Sequence, residues 1–132
     1  MRISGAIKVF IAIVSMTLLT ACENSHSLTN ERTLNHVVLC WLKDSGNAEQ
    51  RQQIIAVSQS FKDIPGVLNV KAGEAIPSTR KIVDDTFDVA ILITVANEED
   101  LANYLTHPIH KKATEEVLPP LIEKILVYDF MG

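Results

Sequence analysis

Apolar and polar positions alternate along this chain in a way that predicts most of its elements. From residue 35 to 43 the run Asn-His-Val-Val-Leu-Cys-Trp-Leu-Lys is apolar almost throughout, which predicts a strand. Polar Asp44-Ser-Gly-Asn47 breaks it. A helix then runs to about Lys62, with Ile54, Val57 and Phe61 at helical spacing, and Ile64-Pro65-Gly66 stops it. A second strand is expected at 67 to 73. The polar connection Glu74 to Asp85 leads to a third strand at about 86 to 95. Asn97 is placed to cap a short helix whose first turn, Glu98-Glu99-Asp100, complements the positive end of the helix dipole. Pro108 lacks an N–H and pushes His107 out of the α region, so this helix stops there. Pro108 also suits the first position of a new helix, which must end around Pro119-Pro120. A last strand covers about 124 to 131. The order βαββαβ is that of an α+β, ferredoxin-like domain.

The strands are apolar on both sides. Phe87, Val89, Ile91, Ile93 and Val95 fall on one face of the third strand, with Ala90 and Leu92 on the other. The last strand sets Ile125 and Val127 against Leu126, Tyr128 and Phe130. Two helical segments can cover one face of a four-stranded sheet; the other face needs a partner, because an apolar patch of that size in water marks an interface.

At the N-terminus, Arg2 and Lys8 flank an apolar run, Val9 to Val14, that continues through Leu18-Leu19-Thr20-Ala21-Cys22. This run is too short and too cleanly ended for a membrane-spanning helix and is expected to be a secretory signal, residues 1–21. Leu-Thr-Ala-Cys also resembles a bacterial lipobox, in which case Cys22 receives lipid chains after cleavage. Residues 22–34 are polar and without apolar period, which suits a tether carrying a solvated His26. The folded domain is then 35–132. The expected location is the cell envelope, facing the periplasm. Glu23, rather than Asp, follows the cysteine, and the resemblance to Gram-negative lipoproteins implies the outer rather than the inner membrane.

The whole chain carries a formal charge of −4. Removing residues 1–21 deletes two basic residues and no acidic one, leaving ten basic against sixteen acidic, or −6. That balance excludes nucleic acid as a partner and leaves no basic patch for anionic lipid, so membrane attachment rests on the lipid anchor. With Cys22 acylated, Cys40 has no internal disulfide partner. Its place inside an apolar strand makes it a small core hydrophobe.

Chemistry is concentrated in Asp100-Leu-Ala-Asn-Tyr-Leu-Thr-His-Pro-Ile-His110, where Tyr104, His107 and His110 crowd a helix break. In the first turn after Pro108, His110 lies beside unpaired N–H groups and is held towards neutral imidazole, the form that takes a proton. The segment resembles the hallmark of the stress-responsive A/B barrel (Dabb) family, roughly Leu-x-x-Tyr-x-x-His-Pro-x-His, through Leu101, Tyr104, His107, Pro108 and His110. The resemblance extends to His36-Val-Val-Leu-Cys-Trp-Leu-Lys43, Ile64-Pro-Gly-Val67 and Leu126-Val-Tyr-Asp-Phe130. It implies a dimeric α+β barrel and names the partner of the open sheet face as a second copy of the chain. From the plant polyketide cyclases that share the motif, it implies His110 as a base and Tyr104 as its hydrogen-bonding partner, with His36 near the same pocket.

Three functions fit. A small, partly apolar ligand binds near His36, Tyr104, His107 and His110; or His110 and Tyr104 perform acid–base chemistry, removing a carbon-bound proton flanked by carbonyls; or the turn is structural, with His107 bonding nearby backbone groups and Tyr104 packing beneath it. Secretion argues against polyketide cyclisation, which depends on cytoplasmic thioesters. No metal is expected, because the proline disrupts the His107-x-x-His110 spacing and no third ligand is evident. No cofactor is expected either, since there is no Gly-rich phosphate loop, Cys-x-x-Cys pair or nucleophile elbow. Arg80 and Lys81 could meet an anionic ligand at the barrel mouth or simply belong to a solvated loop.

Overall fold

The structure, a computed structural model, describes residues 32–132. Signal, lipobox and tether positions up to residue 31, Cys22 among them, lie outside the described residues. Four strands form one antiparallel sheet: β1 (Leu34–Leu42), β2 (Val67–Glu74), β3 (Val89–Val95) and β4 (Ile122–Met131), in the order β2-β3-β1-β4. Between β1 and β2 lies α1 (Ala48–Gln59), tightening into a 3₁₀ turn over Ser60–Asp63. Between β3 and β4 lie α2 (Glu98–Thr106) and α3 (Pro108–Lys112), the latter widening into a π turn over Ala113–Val117. This is the ferredoxin-like α+β fold that the sequence predicts.

Local signals explain the boundaries. Asn47 caps α1 by accepting the Gln50 N–H at 3.0 Å, and Asn97 caps α2 by accepting the Asp100 N–H at 2.9 Å. Gly66, at φ +87°, turns the chain into β2, and a Cβ there would stand 2.9 Å from the Asp100 carboxylate. The turn therefore needs glycine both for its backbone and for room against α2.

All helices lie on one side. Leu34, His36, Cys40 and Leu42 of β1 and Val89, Ile91, Ile93 and Val95 of β3 are buried beneath them, with Ile54, Phe61, Ile64 and Tyr104 completing the core. Cys40 is fully buried, and burial pushes its thiol up to about 11, so it acts as a small hydrophobe. On the opposite side the register sets Val37 beside Tyr128 and Leu92, and Leu39 beside Leu126 and Ala90. None of the described residues covers this face, and Tyr128 and Phe130 are 55% and 54% exposed.

β3 starts at Val89, later than expected, because Asp88 takes over the work of a ladder residue. Its N–H donates to the Cys40 carbonyl at 2.8 Å, while its buried carboxylate accepts the N–H groups of Leu42 (2.9 Å) and Gly46 (2.7 Å). Phe87, expected in line with Val89, instead sets its ring edge-on to Trp41, with centroids 6.4 Å apart. Trp41 also donates its indole N–H to Thr86 and carries the Lys124 ammonium 4.1 Å over its ring.

Asp88→Ala strands the buried Leu42 N–H and leaves the part-buried Gly46 N–H without its partner. Chemical denaturation of this variant should show a loss of about 2 kcal/mol or more relative to the native chain, whereas a loss indistinguishable from zero would contradict the carboxylate's role.

Candidate functional site

Pro108 gives α2 no hydrogen bond and forces His107 into an extended conformation, φ −67° and ψ 141°. His107 is thereby the C-cap of α2 and the N-cap of α3 at once, and its Nδ1 accepts the Ile109 N–H at 3.2 Å. It does not line the cavity described next. His107 is placed here as a cap rather than a ligand contact, because its ring nitrogen is spent on the backbone that the proline left unpaired.

Tyr104 is almost wholly buried, at 2% exposure, and three rings surround it: Phe61 at 5.6 Å, His36 at 5.8 Å and His110 at 4.6 Å between centroids. Burial pushes the Tyr104 phenol well above its ordinary pKa. The expected Tyr104–His110 hydrogen bond is not among the bonds of the described residues; the two rings pack tilted at 56°. His110 Nδ1 is instead 3.0 Å from the Leu105 carbonyl, which only accepts, so Nδ1 carries the proton and Nε2 is left with its lone pair. The His110 pKa is lowered, first by burial, with a further contribution from His36 nearby, and the Leu105 bond acts in the opposite sense. The sequence predicts the direction, but the dominant cause is desolvation rather than the start of α3.

His36 sits in the central strand β1, buried, with Nδ1 2.6 Å from Asp129 Oδ1 on β4. The two residues are direct cross-strand partners. His36, Val38, Ile91, Ile125 and Val127 from the sheet, with Phe61, Tyr104, Leu105, His110, Thr114 and Leu118 from the helical side, line a partly open cavity of about 190 Å³. The wide π turn after α3 gives Thr114 and Leu118 their places in its wall.

Three of the four candidate residues thus come together and His107 does not. Sequence alone does not mark Asp129, Phe61 or the Leu105 carbonyl as part of the site. The Tyr-Asp pair on the last strand was a usable signal for Asp129, but its register against His36 was not. Arg80 and Lys81 are exposed on the β2–β3 connection, away from this cavity. Among the described residues no group of three or more His, Cys, Asp or Glu is arranged to hold a metal ion, and no helix is long and apolar enough to cross a membrane.

His110 binds fewer protons folded than unfolded at mildly acid pH. Its contribution to stability is complete above the ordinary imidazole pKa of about 6.5 and is lost as pH falls towards its lower folded value. His110→Asn, which keeps a donor for the Leu105 carbonyl, should show a shallower loss of stability below that pH in denaturation series; identical slopes would refute the assignment.

No curated protein sequence matches the chain. Among solved structures it is similar to a hydroxynitrile lyase from Passiflora edulis, at 24% identity and TM-score 0.66 over 77% of this chain and 94% of that one. It is also similar to a dabb family protein with a ferredoxin-like fold from Mesorhizobium loti, at 18% identity and TM-score 0.63 over 76% and 97%. A dimeric ferredoxin-like protein of unknown function from Thermobifida fusca matches at 20% identity and TM-score 0.62 over 78% and 93%. These identities speak to the fold alone. The family model described as stress responsive A/B barrel domain matches residues 34–131, nearly all of the described chain, and the chain therefore belongs to the stress responsive A/B barrel domain family.

Proposed function

We propose that the protein binds a small, partly apolar molecule in the cavity between sheet and helices. The observation that carries this is the cavity itself: about 190 Å³ of mostly apolar wall on which His36, Tyr104 and His110 converge. A purely structural role for the Tyr-x-x-His-Pro-x-His turn would not need that space, and close packing would normally fill it.

Acid–base chemistry at the same place is a second function, favoured by one specific feature. With Nδ1 committed to Leu105, the Nε2 of His110 is a neutral acceptor, poised to take a proton from a bound molecule. Tyr104 would then act through ring packing and its hydroxyl rather than through a direct bond to His110. That a hydroxynitrile lyase shares the fold makes such chemistry compatible with the scaffold without assigning it here.

The working unit proposed is a homodimer in which the uncovered sheet face meets that of a second copy; dimeric relatives of this fold support it. We further propose that residues 1–21 are a signal peptide and that lipid on Cys22 holds the dimer in the bacterial envelope, facing the periplasm and more readily at the outer membrane. Nucleic acid is no part of this proposal.

Two experiments test it. Thermal unfolding with a panel of small aromatic and fatty molecules should reveal stabilising compounds, and Val127→Trp, which extends a ring into the cavity from the half-exposed edge strand, should abolish the shift. A panel that never shifts the native protein would defeat ligand binding. For the anchor, Cys22→Ser should block incorporation of labelled fatty acid and leave the precursor uncut; processing without lipid in the native chain would rule it out.

A further inference from the structure

We propose that Asp129 is a positioning residue which, acting through His36, makes the cavity selective for apolar molecules that carry a hydroxyl, namely small phenols and alcohols. This rests on the ligand-binding function proposed above and gives its site a chemical preference.

Asp129 does not line the cavity; it works at one remove. Its carboxylate is an acceptor, so the 2.6 Å contact with His36 Nδ1 requires the proton on Nδ1. A neutral imidazole has one N–H, which leaves His36 Nε2 as an acceptor. His110 is fixed in the same sense by a different group, the Leu105 carbonyl at 3.0 Å. Two histidines that line one cavity, held by two unrelated acceptors, are thus each left with a bare Nε2. No donor among the described residues is bonded to either Nε2.

Apart from the Tyr104 hydroxyl, which has no partner among the described residues, the rest of the wall has no free donor. The Thr114 hydroxyl is committed to the carbonyls of His110 and Lys111, at 3.1 and 3.2 Å. Val38, Ile91, Leu118, Ile125 and Val127 offer only hydrocarbon. Beyond the Tyr104 hydroxyl, the polar character of the cavity is therefore that of two acceptors. A ligand that fills it must bring a hydrogen-bond donor or strand those nitrogens away from water. A hydroxyl does so. A carboxylate brings none, and it would add a negative charge beside Asp129 in an apolar space. The volume fits one ring with a short substituent, since a cavity of about 150 Å³ already admits benzene.

Asp129 can be changed without opening the core, because its side chain is 47% exposed on the edge strand. The test uses p-cresol, toluene and p-toluate, probes of similar shape that differ in one group, titrated into the full chain at pH 8. The native protein should bind p-cresol about tenfold more tightly than toluene, as one good hydrogen bond implies, and p-toluate more weakly than p-cresol. Asp129→Ala should erase the preference for p-cresol while leaving toluene unchanged. Asp129→Asn, whose amide oxygen still accepts from Nδ1, should largely keep it. Nitrogen-15 shifts of the His36 ring should report a protonated Nδ1 in the native and Asn proteins and a move towards protonated Nε2 in the Ala variant. Equal affinity for p-cresol and toluene in the native protein, or an unchanged tautomer and preference in Asp129→Ala, would overturn the role of Asp129 and leave ligand binding standing. Failure of all three probes to bind would overturn both.

Discussion

Pro108 has no N–H for the helix that precedes it, and its ring keeps His107 extended; the arrangement of the site follows from those two facts. In a continuous helix the Leu105 carbonyl would accept the backbone N–H of residue 109. Here that N–H goes to the His107 ring, and the Leu105 carbonyl is free to accept from the His110 imidazole. One missing donor thus ends α2, starts α3, selects a tautomer for His110 and brings its ring to 4.6 Å from that of Tyr104.

The sheet supplies the other half. β1 is central, flanked by β3 and β4, so a histidine on its helix-facing side is both buried and within reach of a carboxylate on the edge strand. The same strands carry apolar residues on the far side, Leu39 and Leu126 among them, which the helices cannot reach. Burial on one face and exposure on the other are consequences of one topology: it seats His36 beside the cavity while leaving a face that demands a partner.

Much of the fold was legible because the signals that set it are local. Asn47, Asn97, Gly66 and Pro108 each act within a few residues, and each does in the structure what its chemistry predicts. The two-faced strands were equally readable, since alternation along a strand decides which side each residue takes. Where the sequence misled, a side chain had replaced backbone: Asp88, bonded to Leu42 and Gly46, delays β3 and turns Phe87 towards Trp41. No periodicity reports such an exchange.

By itself the sequence determined the element order, the helix break at His107-Pro108, the faces of the strands and the gathering of Tyr104 and His110 near that break. Tertiary structure alone decided the register that sets Asp129 opposite His36, the desolvation that lowers the His110 pKa, the use of His107 as a cap and the cavity between them. The division has a physical cause. Caps, turns and alternation are settled over a few bonds of chain, whereas cross-strand pairing joins residues 93 apart in sequence, and burial depends on everything that packs above them.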